Sequence, residues 1–210
     1  MFGCLRRLGC LITLLVAAAA GYYWYTHRSG HTSTATVIAG SWSPVTPADA
    51  ERGQRIVGAL RSGSGRVFAN LTAAQAVAYL LQTAKGFPPS AQNVRAMIVG
   101  DTLYVRAVLP LRSLGADKAL GPLAALLGVR DTVQLAGTAE VIRPGLAQFR
   151  VTGVQIHDLP IPRAVIPKLI AQLRRESPEG LAPDGLALPL PPYVADIRIG
   201  NGKVTLYKNV

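Results

Sequence analysis

The chain has 210 residues, half of them apolar, and carries a formal net charge of +11 from 22 basic and 11 acidic residues. This length suits one domain of roughly 100–150 residues behind an N-terminal segment, and the apolar content excludes a wholly disordered chain. The basic excess favours anionic partners such as lipid headgroups, but the basic residues neither cluster nor interleave with aromatics, so nucleic acid is not an expected partner.

A basic head at residues 1–7 precedes an uncharged apolar run at residues 8–25. In a helix this run rises about 27 Å, close to the ~30 Å of a hydrocarbon core. We therefore predict a single transmembrane helix in the cytoplasmic membrane. Arg6 and Arg7 favour a cytoplasmic N-terminus, which places the rest of the chain outside the cytoplasm. The side chains predicted to anchor the helix in the bilayer and at its headgroup level are Leu11, Leu14, Leu15, Tyr22 and Trp24.

A cleaved signal peptide is the alternative to an anchor, because Ala17–Gly21 has the small residues of a cleavage site. The protein would then be secreted. Lipidation at Cys10 is not expected, since a lipoprotein signal places its apolar run before the cysteine and here the run follows it. Residues 26–45 are small and polar, which predicts a linker. Residues 29–210 retain 19 basic and 11 acidic residues, a net charge of +8.

The folded part, predicted at residues 46–210, begins with two helices separated by a short strand at Arg66–Ala69. Thr46 has the position of an N-cap for the first helix. Thr72 and Gln75 have the spacing of a capping box for the second. The inner side of the second helix is predicted to hold Val77, Leu80, Leu81 and Ala84.

Three antiparallel hairpins follow, each recognised by an apolar period of two around a turn. Their turns are predicted at Gly100–Asp101, Pro144–Gly145 and Asn201–Gly202, with a short apolar helix at residues 117–128 after the first hairpin. In the second hairpin the apolar phase slips by one residue at Gly153, which predicts a β-bulge that bends the strand. In the third hairpin the alternation places on one face Tyr193, Ala195, Ile197 and Ile199.

A proline-rich corner follows the second hairpin. Pro160 and Pro162 bar helical geometry at the residues before them, so a helix is predicted from Arg163 to Arg175. Its apolar face is our candidate lipid groove, and the alternative is that the same side chains form part of an ordinary closed core. The residues of this face are Val165, Ile166, Leu169, Ile170 and Leu173.

The residue types needed for catalysis or metal binding are sparse. Cys4 and Cys10 are the only cysteines, and His157 is the only histidine in the predicted folded part. Acidic residues occur singly, which argues against paired-carboxylate chemistry and calcium loops. His157 and Asp158 could form an orienting polar pair, but their position at a strand end favours two surface side chains. We expect no enzyme, no catalytic residue, no metal site and no cofactor.

The pattern of proline, turn and apolar positions resembles that of the YpmS-like membrane-anchored envelope proteins, which in turn resemble half of a tubular lipid-binding (TULIP-like) module. The matching pieces are Val67–Gln75, Val151–Ile170 and Leu188–Tyr207. The match departs at Gln75, where the pattern usually has an acidic residue. This resemblance implies a curved sheet wrapped against helices, with an apolar concavity suited to an acyl chain.

These observations predict an α+β fold, with a curved antiparallel sheet of hairpins packed against several helices behind a single transmembrane helix. The predicted function is that of a membrane-tethered, non-enzymatic cell-envelope protein that binds or shields lipid acyl chains in an apolar groove. Its expected partners are membrane lipid and anionic headgroups. The alternative is a structural adaptor with a closed core, whose partner is another envelope protein.

Overall fold

The computed structural model describes residues 41–62, 66–83, 90–174 and 178–209. Within these ranges no helix is both long enough and apolar enough to cross a bilayer. The predicted transmembrane helix at residues 8–25 lies outside them. The same is true of its predicted anchoring and orienting residues, which are Leu11, Leu14, Leu15, Tyr22, Trp24, Arg6 and Arg7.

The described residues form an α+β fold, as predicted. The α-helices are α1 Pro47–Ala59, α2 Ala73–Thr83, α3 Ala116–Leu120 and α4 Ile166–Leu173. Short 3-10 turns occur at Leu111–Leu114, Gly121–Leu126 and Arg163–Val165. The strands are β1 Ser43–Pro44, β2 Phe68–Thr72, β3 Gln92–Val99, β4 Thr102–Leu109, β5 Asp131–Arg143, β6 Leu146–Ile156, β7 Leu159–Pro160, β8 Gly185–Pro189, β9 Val194–Gly200 and β10 Lys203–Lys208.

The strands form two antiparallel sheets. The larger, open sheet has the order β1-β3-β4-β5-β6-β7, and β8 pairs with β6 beside β7. The smaller sheet has the order β2-β10-β9, and β9 lies against β5 of the larger one. Helix α2 packs between α1 and the strands β3 and β10, while α4 packs on α3 and β6. Their apolar faces join in one continuous core.

Both predicted helix caps are confirmed. The Thr46 hydroxyl accepts a hydrogen bond from the Asp49 amide, and the Asp49 carboxylate accepts one from the Thr46 amide. Thr72 and Gln75 exchange the same pair of bonds, at 3.1 and 3.2 Å, before α2. Each cap satisfies amides that have no partner inside the helix, so it fixes where the helix begins.

The three hairpins are confirmed, with turns where the sequence predicted them. The predicted bulge is also present. Ala136 of β5 pairs with Gly153, whereas the next residue, Gly137, pairs with Val151, so Thr152 is the extra residue of β6. The bulge returns the apolar side chains of both halves of β6 to the core face.

The third hairpin differs from its prediction in one strand. Ala195 was expected to share the inner face with Ile197 but is exposed, and Val194 is buried instead. The cause is a pairing shift at the end of β10, where Tyr207 pairs with Asp196 but Lys208 pairs with Val194. One residue of β9 is thus skipped, and the alternation seen in the sequence does not carry through it.

Four other elements differ in extent from their predictions. The strand predicted at Arg66–Ala69 is β2, Phe68–Thr72. Residues 43–44, assigned to the linker, form β1 and pair with β3. The short apolar helix divides into α3 and the 3-10 turn at Gly121–Leu126. The helix after the proline corner starts with the 3-10 turn at Arg163–Val165 and becomes α4, whose first turn tolerates Pro167. Of the inner side of α2, Val77 is buried, Leu80 and Leu81 are partly buried, and Ala84 lies outside the described residues.

Alanine substitutions at two glycines of α1 are expected to change the free energy of unfolding in opposite directions. A Cβ on Gly53 would lie 2.9 Å from the Gln75 carbonyl oxygen and 3.1 Å from Tyr79 Cβ of α2, whereas one on Gly58 would meet nothing within 4 Å. We expect Gly53→Ala to lower the free energy of unfolding by about 1–3 kcal/mol because it pushes the two helices apart. Gly58→Ala should raise it by roughly 0.5–1 kcal/mol, since alanine restricts the unfolded chain. Urea denaturation of both variants gives the comparison, and equal effects of the same sign would contradict this packing.

Candidate functional site

The predicted lipid-groove residues lie on α4 and the turn before it. Ile166, Leu169 and Ile170 are 2%, 3% and 0% exposed and belong to the core, and Val165 packs against it partly buried. The side chain of Leu173 lies outside the described part of the chain. In this structure these three buried side chains are part of the continuous core.

At the proline corner His157 and Asp158 are both exposed, as the favoured interpretation of two surface side chains predicts. His157 has a left-handed backbone with φ of 55°, as the tight turn between β6 and β7 requires, and its amide donates to the Thr132 carbonyl at 2.7 Å. Its ring Nε2 lies 3.6 Å from Oδ1 of Asp131, not beside a carboxylate of Asp158. Asp131 is fully buried, and its Oδ1 also accepts from the Gly128 amide.

A cleft of about 450 Å³ opens beside this turn, on the face of the larger sheet opposite the core. It extends across the ends of β3, β4 and β5 to the β6–β7 turn. The polar and aromatic side chains that matter for its chemistry are Trp42, Arg95, Arg106, Thr132, His157 and Asp158.

Two arginines dominate the floor of this cleft. Arg95 of β3 and Arg106 of β4 are direct cross-strand partners. Their sequence neighbours Ala96 and Ala107 are buried, so the two arginines share the outer face. Arg106 is in turn paired with Gln134 of β5, which extends a polar row across the sheet. The register therefore places two basic side chains directly opposite each other on one face, an arrangement that is unfavourable for like charges without a counterion.

Arg106 is held more tightly than its partner. It is half-buried, its guanidinium carbon lies 5.5 Å from the centre of the Trp42 ring, and its Nε is buried with no hydrogen-bond partner among the described residues. Trp42 reaches it from the residue before β1, across β3. This cation–π contact orients the guanidinium without neutralising it.

The cleft arginines contrast with a satisfied surface arginine, Arg198 of β9. Arg198 donates to Asp196 at 2.9 Å and lies over the Tyr207 ring, and its hydrogen bond to the Asp196 carboxylate raises the pKa of Arg198 above the ordinary value. No ion pair within the described residues includes Arg95 or Arg106. Asp158, which is exposed, is the acidic residue among those that line the cleft.

Guanidinium groups recognise phosphate and carboxylate through two parallel hydrogen bonds each. Two arginine side chains on paired strands, together with Thr132 and Asn93 in the lining of the same cleft, can therefore hold a phosphate-sized anion. Among the described residues no group of three or more potential metal ligands occurs. Sequence reasoning identified His157 and Asp158 in this region but missed Trp42, Arg95 and Arg106.

Comparison of the chain with protein-family models, with curated proteins and with solved structures gave no match. The proposed function therefore depends on the chemistry of the cleft.

Proposed function

We propose that the chain is a membrane-tethered, non-enzymatic cell-envelope protein whose extracytoplasmic domain binds membrane lipid by its anionic headgroup. The N-terminus lies in the cytoplasm, and the headgroup occupies the cleft between Arg95 and Arg106. The single observation that carries this proposal is the direct cross-strand pairing of the two arginines, neither of which forms an ion pair with a described carboxylate.

An anion between the two guanidinium groups stabilises both of them. It removes the repulsion between them and supplies an acceptor near Nε of Arg106. This nitrogen is buried and has no hydrogen-bond partner among the described residues. The net charge of +8 on residues 29–210 adds a long-range attraction to an anionic membrane surface. Headgroup binding at this cleft thus replaces acyl-chain binding along α4 as the mode that the geometry favours.

The second candidate function, a structural adaptor with a closed core, is favoured by the burial of Ile166, Leu169 and Ile170. The two functions differ in what accompanies the protein. Native mass spectrometry of the chain released gently from membranes should show a bound phospholipid if the proposal is correct. A stoichiometric protein partner without lipid would support the adaptor instead.

Substitution of the cleft arginines tests the proposal directly. We expect Arg106→Gln and Arg95→Gln each to weaken binding of a short-chain phosphatidylglycerol about tenfold or more, because a hydrogen bond to a charged group contributes roughly 1.5–3 kcal/mol. Titration calorimetry on the full chain in neutral detergent measures this. The matched short-chain phosphatidylcholine should bind more weakly to the native chain.

Arg55→Gln is the matched control, because Arg55 is an exposed arginine of α1 and its removal changes the net charge by the same amount. If Arg55→Gln weakens binding as much as the cleft variants, the attraction is diffuse and the cleft is not a site. Equal binding of the two lipids by the native chain would also contradict the proposal.

A further inference from the structure

Two exposed apolar side chains lie at the end of the larger sheet that holds the cleft. Val129 is 89% exposed and stands two residues before β5, whose Thr132 is part of the cleft wall. Leu159 is 40% exposed and follows the His157–Asp158 turn, which forms the opposite wall. The two residues therefore lie at the same end of the sheet as the cleft.

An exposed valine or leucine is common on protein surfaces and means little by itself. Here the apolar pair accompanies a concentration of positive charge. Arg130 follows Val129 directly, is exposed, and donates to the Ser90 carbonyl at 3.4 Å, which holds this loop against the start of β3. Of the two carboxylates in this region, Asp158 is exposed, but Asp131 is fully buried and bonded to Gly128. The surface thus presents three arginines and two apolar side chains against one exposed carboxylate.

We propose that this end of the sheet docks on an anionic bilayer, with Val129 and Leu159 inserted at the headgroup level beside the cleft. The inference rests on the proposed headgroup site and adds how that site reaches its lipid. With the apolar side chains inserted, the cleft lies over a headgroup that stays in the bilayer. The domain then holds lipid in place, and no acyl chain has to leave the membrane.

The size and chemistry of the surface favour a bilayer over a protein partner. A stable protein interface buries roughly 800 Å² on each side around a packed apolar centre, whereas the exposed large apolar side chains among the described residues at this end of the sheet are Val129 and Leu159. A bilayer needs less, since each basic residue near an anionic surface contributes about 1 kcal/mol and each inserted apolar group adds to that.

A fluorescent probe at Val129 tests the insertion. The full chain with Cys4→Ser, Cys10→Ser and Val129→Cys is labelled with an environment-sensitive dye and placed in nanodiscs. With phosphatidylglycerol present we expect a blue-shifted emission and quenching by headgroup-region doxyl lipid. In nanodiscs of phosphatidylcholine alone the emission should remain that of a water-exposed dye.

Val67→Cys provides the matched control, because Val67 is an exposed valine beside the smaller sheet at 52% exposure. Its probe should stay water-exposed in both membranes. A Val129 probe that stays in water while phosphatidylglycerol still binds through Arg106 would overturn the docking and leave the headgroup site intact. A Val129 probe that inserts equally in both membranes, or equally after Arg95→Gln and Arg106→Gln, would overturn the coupling between insertion and the anionic headgroup.

Discussion

Leu169→Asp is expected to unfold the domain. Leu169 is 3% exposed on α4, between Ile166 and Ile170, which are buried as deeply, and α4 itself packs on α3 and β6. A carboxylate at this position loses its hydration without a cationic partner and also removes the packing of the leucine. That penalty amounts to several kcal/mol, against a total stability of roughly 5–15 kcal/mol for a domain. Near-ultraviolet circular dichroism during heating should show no cooperative transition.

Lys168→Asp is the control, since Lys168 is an exposed neighbour on the first turn of the same helix. An acidic residue there interacts favourably with the helix dipole, so the melting temperature should change little. A folded Leu169→Asp protein with an unchanged transition would mean that α4 can leave the core. That outcome would support the prediction that the apolar face of α4 binds an acyl chain.

The elements that could be predicted from sequence are those fixed by local chemistry. The capping box at Thr72 and Gln75 and the turn at Asn201–Gly202 each require particular residue types at particular spacings, and both occur where expected. The slip at Gly153 was visible because the bulge moves apolar residues from odd to even positions along one strand. By contrast, the shift in strand pairing beside Lys208 skips Ala195 without interrupting the apolar alternation in the sequence.

The cleft was missed because its residues come from distant parts of the chain. One component could have been found: the turn at Gly100–Asp101 pairs Val99 with Thr102, and counting back from it places Arg95 opposite Arg106. Trp42 could not have been found in this way. Its stretch is small and polar in sequence, and the pairing of Ser43 and Pro44 with β3 is not signalled by any apolar alternation.

Gly137→Ala is the second substitution with a large expected effect. Gly137 is buried in β5 opposite the bulge, and a Cβ there would lie 2.2 Å from the Arg150 carbonyl oxygen and 2.7 Å from the Phe149 ring. The position of a Cβ is fixed by the backbone, so alanine cannot avoid either contact. Phe149 is itself 6% exposed and packed in the core. The backbone of one strand must move, so we expect a loss of about 3 kcal/mol or more in the free energy of unfolding.

Gly153→Ala is the matched control for this prediction, because Gly153 lies in the bulge itself. A Cβ there would meet only Ala136 Cβ, at an ordinary 3.5 Å, and the backbone of Gly153 is not left-handed. Its replacement should change the free energy of unfolding by less than about 1 kcal/mol. Urea denaturation of the two variants therefore separates two explanations of the irregular pairing between β5 and β6. If Gly153→Ala proves the more damaging, the bulge depends on its own glycine, as the sequence pattern suggested, and not on the space that Gly137 leaves for Phe149 on the opposite strand.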